Sequence, residues 1–144
     1  MKLLDKSSDF TAEPQDMDPW GRERWSSGCQ LLAHPNQVGD FVEMAVPAPD
    51  GRRKQLVLYA TKAPDYGVLS FMVNGQPSKV LFDGYADKVE PAAPLQLGTF
   101  TPDNGRFILR VKVIGTNPQS GGAKYLFGLD CVVLEAGPAA QKSP

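Results

Sequence analysis

The sequence predicts an all-β protein, a two-sheet antiparallel jelly-roll sandwich of about eight strands, and three observations carry that prediction. Short segments alternate apolar and polar residues. Clusters of Gly, Pro, Asn and Asp separate them at short intervals, and no stretch of ten or more residues holds a convincing 3.6-residue period. Fourteen glycines and thirteen prolines in 144 residues point the same way, because both residues weaken helix interiors and favour turns.

The elements follow in order. Residues 1–24 show no sustained period, and the run Pro14 to Gly21 holds two prolines and a glycine, so this segment is expected to wrap the sandwich irregularly. Cys29 to Ala33 and Asp40 to Val46 are the first strand candidates, the second stopped by Pro47, Pro49, Asp50 and Gly51. Lys54 to Thr61 alternates Leu56, Leu58 and Ala60 against Gln55, Val57 and Tyr59, and Gly67 to Asn74 follows the turn Lys62 to Tyr66. Asn74-Gly75 signals a tight hairpin, since both residues tolerate positive φ, and it leads into Ser78 to Phe82. After Leu95 to Thr101 and the turn Pro102 to Gly105, the segment Arg106 to Ile114 puts Phe107, Leu109, Val111 and Val113 on one face and charged residues on the other. The last strand, Tyr125 to Glu135, is expected to carry Tyr125, Phe127, Leu129, Cys131 and Val133 on one face, and its two apolar faces mark it as central. The expected organisation is a wrap over 1–24, the sandwich over 25–135 and a tail over 136–144.

Composition bounds the function. The length suits one domain with a core of its own, and a formal net charge of -1 offers no field for nucleic acid. The opening Met1 to Lys6 carries Asp5 and no apolar run behind it, so no signal peptide is read in this chain, and no segment is apolar and long enough to span a membrane. Cys29 and Cys131 are too few for a disulfide framework, and with His34 alone they do not complete a zinc site. A single disulfide between them stays open, as does a pair of half-buried thiols. His34, between Ala33 and Pro35, is the sole histidine, and no nucleophile, base and acid group together around it. The chain therefore reads as non-catalytic.

Loop aromatics remain. Trp20, Trp25, Tyr66 and Tyr85 lie in or beside turns, where rings stack on the apolar faces of sugars while neighbouring polar groups bind hydroxyls. Trp25 can equally plug one end of the sandwich, and Tyr66 can pack beneath its turn. Pro64 stiffens that turn, so Lys62, Asp65 and Tyr66, joined by Asn117 from the loop before the last strand, form the expected ligand or interface patch. Asp130, an acid in a mostly apolar strand, needs a partner, which is either a hydrogen bond to the turn at 62–67 or the Trp25 segment, or a metal.

Four stretches taken together carry a resemblance: Trp25-Ser26-Ser27-Gly28-Cys29-Gln30-Leu31, Thr61-Lys62-Ala63-Pro64-Asp65-Tyr66-Gly67, Val73-Asn74-Gly75 and Phe127-Gly128-Leu129-Asp130. From about Pro14 to Leu134 the chain resembles a galactose-binding-like, carbohydrate-binding-module sandwich of the kind appended to bacterial glycoside hydrolases and to planctomycete-type polysaccharide degraders. The resemblance implies a module that binds polysaccharide or oligosaccharide and accompanies a parent catalytic domain, with no cofactor beyond a structural calcium. It implies export, secreted or periplasmic, as part of a larger protein. It sets Trp25, Tyr66 and Asn117 at the family's sugar-contact positions and Asp130 at its calcium position. Leu3-Leu4-Asp5-Lys6 stands where the family carries paired glutamates, which departs from its calcium set. The alternative implied role is a structural or oligomerisation domain that packs on a parent glycoside hydrolase without touching sugar.

Overall fold

A computed structural model, which describes residues 2–136, folds the chain into two antiparallel sheets packed face to face. Sheet A runs β1 (Lys2–Lys6), β4 (Phe41–Pro47), β10 (Arg106–Thr116), β6 (Gly67–Val73), β7 (Gln76–Asp83). Sheet B runs β2 (Ala12–Asp16), β3 (Cys29–Ala33), β11 (Phe127–Ala136), β5 (Lys54–Lys62), with β8 (Glu90–Pro91) and β9 (Leu95–Phe100) both on the far edge of β5. The only helical pieces among the described residues are three single 3-10 turns, Asp18–Trp20, Arg22–Arg24 and Ser26–Gly28. The all-β sandwich is as the turn chemistry and strand spacing predict.

Alternation sets what faces what. Phe107, Leu109, Val111 and Val113 of β10 are fully buried, and meet Leu56 and Leu58 of β5 and Phe127 and Leu129 of β11 in one core between the sheets. Burial of each such side chain contributes about 1.5–3 kcal/mol. Asn74 and Gly75 adopt φ 49 and 80 and close the β6–β7 hairpin, while Asn104 and Gly105 at φ 53 and 75 turn the chain into β10.

Two expectations are corrected. The segment before Trp25 is irregular only in part: β1 adds to β4 from Lys2 to Lys6, and β2 adds to β3 from Ala12 to Asp16, so it supplies an edge strand to each sheet, with bends and 3-10 turns between and after them. Both strands are short edge strands with mostly exposed side chains, which removes the apolar alternation that periodicity needs. The last strand changes face midway. A bulge between Leu129 and Cys131 inserts Asp130, so Phe127 and Leu129 are buried, Val132 and Leu134 then pack on the core, and Val133 is 41% exposed. One extra residue in a bulge reverses the alternation beyond it. The central position of β11, between β3 and β5, holds.

Candidate functional site

At the end of the sandwich where β5 hands over to β6, the turn Lys62 to Gly67 is locked from three sides. Ala63 N–H donates to Gly84 O at 2.9 Å and Gly84 N–H to Gly67 O at 3.0 Å, which stitches the turn to the end of β7. Gly84 is required there, because a Cβ would stand 2.8 Å from Gly67 O. The loop before β11 docks on the same turn: Gly121 N–H donates to Pro64 O at 3.0 Å and the Ser120 hydroxyl to Tyr66 O at 2.9 Å. Asp83 braces the two segments, accepting from Tyr85 N–H at 3.0 Å and from Asn117 Nδ2 at 2.7 Å, while Asn117 Oδ1 accepts from Gln119 N–H at 2.8 Å.

This bracing leaves an open cleft of about 550 Å³ walled by Pro64, Asp65, Tyr85, Asp87 and Gln119. A smaller hollow of about 140 Å³, which includes Trp20 and Gln15, adjoins it, and Asp65 and Val89 line both. The two hollows thus share a wall, and each presents one half-exposed ring, Tyr85 in the larger and Trp20 in the smaller, with carboxylates and amides around them. Rings beside hydrogen-bonding groups at a rigid loop cluster suit a ligand with apolar faces and many hydroxyls.

The residues singled out from sequence divide into three groups. Asp65 and Trp20 line the groove; Asn117 supports it through Asp83 and Gln119 without being part of its wall. Lys62 sits at the end of β5 opposite Glu90, outside the groove. Trp25 and Tyr66 are each only 4% exposed. Trp25 Nε1 donates to Thr61 Oγ1 at 2.8 Å, Thr61 Oγ1 donates to Gln30 Oε1, and Gln30 Nε2 donates to the Tyr66 hydroxyl at 2.9 Å and to Gln15 Oε1 at 2.8 Å. Gly128 permits this relay, since a Cβ there would strike the Gln30 amide. Burial pushes the Tyr66 phenol up to about 12, against the opposing effect of the Gln30 hydrogen bond and with a small push from Asp65. Both rings therefore act as plugs under the loops, although Tyr66 also contributes to the lining of the smaller hollow beside Trp20.

Tyr85, Asp87 and Gln119 were not among the residues singled out as the patch. The available signal was Asp83-Gly84-Tyr85, a turn that puts a ring two residues after an acid able to hold its own loop.

Asp130 takes the hydrogen-bonded role. Its Oδ2 accepts from Ser26 N–H at 2.9 Å, tying β11 to the Trp25 segment. Burial raises its pKa, against that hydrogen bond. Among the described residues no three His, Cys, Asp or Glu side chains converge on a possible metal position, and the surroundings of Asp130 are Ser26, Ser27, two thiols, Gln30, whose amide oxygen already accepts from Thr61, and apolar groups. Calcium takes six to eight oxygens, so this donor set does not fit it. Cys29 and Cys131 are free thiols. Among the described residues no helix is long and apolar enough to cross a membrane.

The fold is that of carbohydrate-binding-module sandwiches. The chain superposes on part of a xanthan lyase from Paenibacillus with TM-score 0.77 at 20% identity, covering 94% of this chain and 12% of the lyase. It matches a family 35 carbohydrate-binding module from Clostridium thermocellum with TM-score 0.53 at 15% identity, over 91% of this chain and 92% of the module. A Podospora anserina β-(1,4)-mannanase carrying a family 35 module matches with TM-score 0.54 at 12% identity, over 95% of this chain and 28% of the enzyme. No protein-family model and no curated protein matches the chain.

Proposed function

We propose that the chain is a non-catalytic carbohydrate-binding module of a larger, exported glycan-processing protein, and that it holds polysaccharide in the groove between Trp20 and Tyr85. The observation that carries this reading is the braced loop cluster, which presents Tyr85, Asp65, Asp87 and Gln119 around one open cleft beside the smaller hollow lined by Trp20. The fold's occurrence as a family 35 carbohydrate-binding module and as a small part of a xanthan lyase and a mannanase supports it. In this reading the rings supply the stacking surface, the carboxylates and the Gln119 amide take hydroxyls, and Asn117 and Asp83 keep the loops in place.

Isothermal titration of the chain against a panel of soluble xylan, mannan, galactan and xanthan tests the proposal. At least one polysaccharide is expected to bind, and Tyr85→Ala is expected to weaken it by about 1–2 kcal/mol, roughly five- to thirtyfold, with an unchanged melting temperature. Binding that survives both Tyr85→Ala and Trp20→Ala places the sugar elsewhere.

A further inference from the structure

Sheet B parts where its two central strands are set to run on together. β11 pairs with β3 only from Phe127 to Leu129, opposite Ala33 to Leu31, yet it continues beside β5 as far as Ala136. Stepping the same register onward sets Cys131 against Cys29 and Leu134 against Ser26. β3 begins at Cys29, and no strand continues beyond it opposite Val132 to Ala136, because the chain arrives at Cys29 through a 3-10 turn with Ser27 at φ 54 and Gly28 at φ 70. Among the described residues, β11 makes no backbone hydrogen bond on that edge beyond Leu129.

The parted ladder opens a cleft of about 580 Å³ through the sheet. Its walls include Leu3, Leu31, Met44, Val46, Val132 and Leu134, and Asp130 stands where the ladder parts. Asp130 Oδ1 is buried and has no hydrogen-bond partner. A buried carboxylate oxygen without a donor is costly, and the half-exposed edge of β11 beyond Leu129 carries strand backbone open to pairing. A strand satisfies both needs at once. Its backbone continues the ladder, its alternate apolar side chains fill the space over Met44 and Val46, and a cationic residue beside Asp130 supplies the missing donor. A sugar cannot continue the backbone ladder, and a small apolar molecule leaves the same edge unpaired.

We propose that this slot is completed by strand addition: an extended segment of a partner protein, apolar at alternate positions and with Lys or Arg at the Asp130 end, lies antiparallel to Val132–Ala136 and finishes sheet B. The site is distinct from the loop groove and does not depend on it. The slot spans roughly 17 Å at about 3.3 Å per residue, which sets a probe of five strand residues with a terminal Lys beyond them. Because the bulge at Asp130 turns Val132 and Leu134 inward, the residues opposite these two are the ones that must be apolar.

The probe is acetyl-Val-Thr-Val-Thr-Val-Lys-amide, titrated calorimetrically into the whole chain, with hydrogen exchange read on residues 130–136. Binding with slowed exchange on that segment is expected. Affinity is expected to fall about tenfold or more when Glu replaces the terminal Lys, and the Lys-over-Glu preference is expected to vanish in Asp130→Asn. Equal binding by a peptide whose valines are N-methylated would show that backbone pairing is not used and would overturn the proposal. So would the absence of binding at about 1 mM peptide. Concentration-dependent dimerisation in sedimentation, with the same segment protected, would assign the slot to a second copy instead.

Discussion

Replacing Tyr66 by Ala separates a plug from a sugar contact at the point where sequence alone leaves both open. The ring is 4% exposed and packs with Ala63 and Leu126, flanked by Leu32 and Val89. Truncating a buried aromatic to Ala costs about 3–5 kcal/mol. This cluster is a small satellite of the main core, which argues for the lower end, but the lost hydroxyl also removes one acceptor from Gln30 Nε2 and adds about 1 kcal/mol. A total near 3–4 kcal/mol corresponds to a fall in melting temperature of roughly 10 °C or more for a domain of this size. Urea denaturation followed by tryptophan fluorescence, alongside calorimetry, measures both. Tyr66→Phe keeps the packing and is expected to cost only about 1 kcal/mol. The reasoning is refuted if Tyr66→Ala unfolds within about 1 kcal/mol of the wild type while glycan binding disappears, since the ring must then turn out to meet ligand.

Two further outcomes follow. Asp40, 3% exposed, would be raised by its burial alone, but hydrogen bonds from Asn36 N–H and the Ser7 and Ser8 hydroxyls outweigh this and lower its pKa. A lowered folded pKa contributes stability that is present above the unfolded value near 3.9 and is lost as pH falls through the folded one. The gap in unfolding free energy between wild type and Asp40→Asn, about 1 kcal/mol at pH 7, is expected to close below about pH 4; a gap that stays constant down to pH 2.5 contradicts this. For metal, chelation is expected to leave the melting temperature where it was, and a drop of several degrees that calcium reverses would restore the calcium site set aside at Asp130.

What was legible in the sequence was what burial writes into it. β10 could be placed from Arg106 because every second residue is fully buried, and the two Asn-Gly turns could be placed because positive φ at both positions is a chemical requirement. β1 and β2 were not legible. Leu3-Leu4-Asp5 and Glu13-Pro14-Gln15 sit at sheet edges where few side chains are buried, so no period is enforced. The bulge at Asp130 was invisible for a related reason. An inserted residue leaves composition untouched and merely exchanges the two faces, both of which are apolar in this strand. At the loop end, the turn was located correctly and its loop partner, Asn117 to Gly122, was brought to it as expected. Which rings pointed out was not legible, since Trp25 and Tyr66 turn inward only because Gln30 and Thr61, far apart in the chain, offer them hydrogen-bond partners.

The same inward turn bears on where a glycan can sit. The other surface open to a chain-like ligand is the outer face of sheet A, where polysaccharide would have to lie across β4, β10 and β6. Its aromatic ring is Phe41, and the Arg110 guanidinium stands 3.9 Å over that ring while Arg110 also pairs with Glu43 at 2.7 Å. A ring face covered by a stacked, ion-paired arginine is not free to stack on sugar, and uncovering it would sacrifice both contacts. Sheet B offers no better surface. Trp25 and the 3-10 turns that carry it are tied across its outer side through Thr61 and Asp130. With both sheet faces occupied in these ways, the half-exposed rings left without a stacked cation are Trp20 and Tyr85 of the loop groove, together with Tyr59 on β5. Tyr59 stands on the face that the Trp25 segment partly covers, whereas Trp20 and Tyr85 share a groove with Asp65 and Asp87. Among the described residues, half-exposed rings free of a stacked cation and flanked by carboxylates coincide at the loop end, which is why the proposed glycan site is placed there.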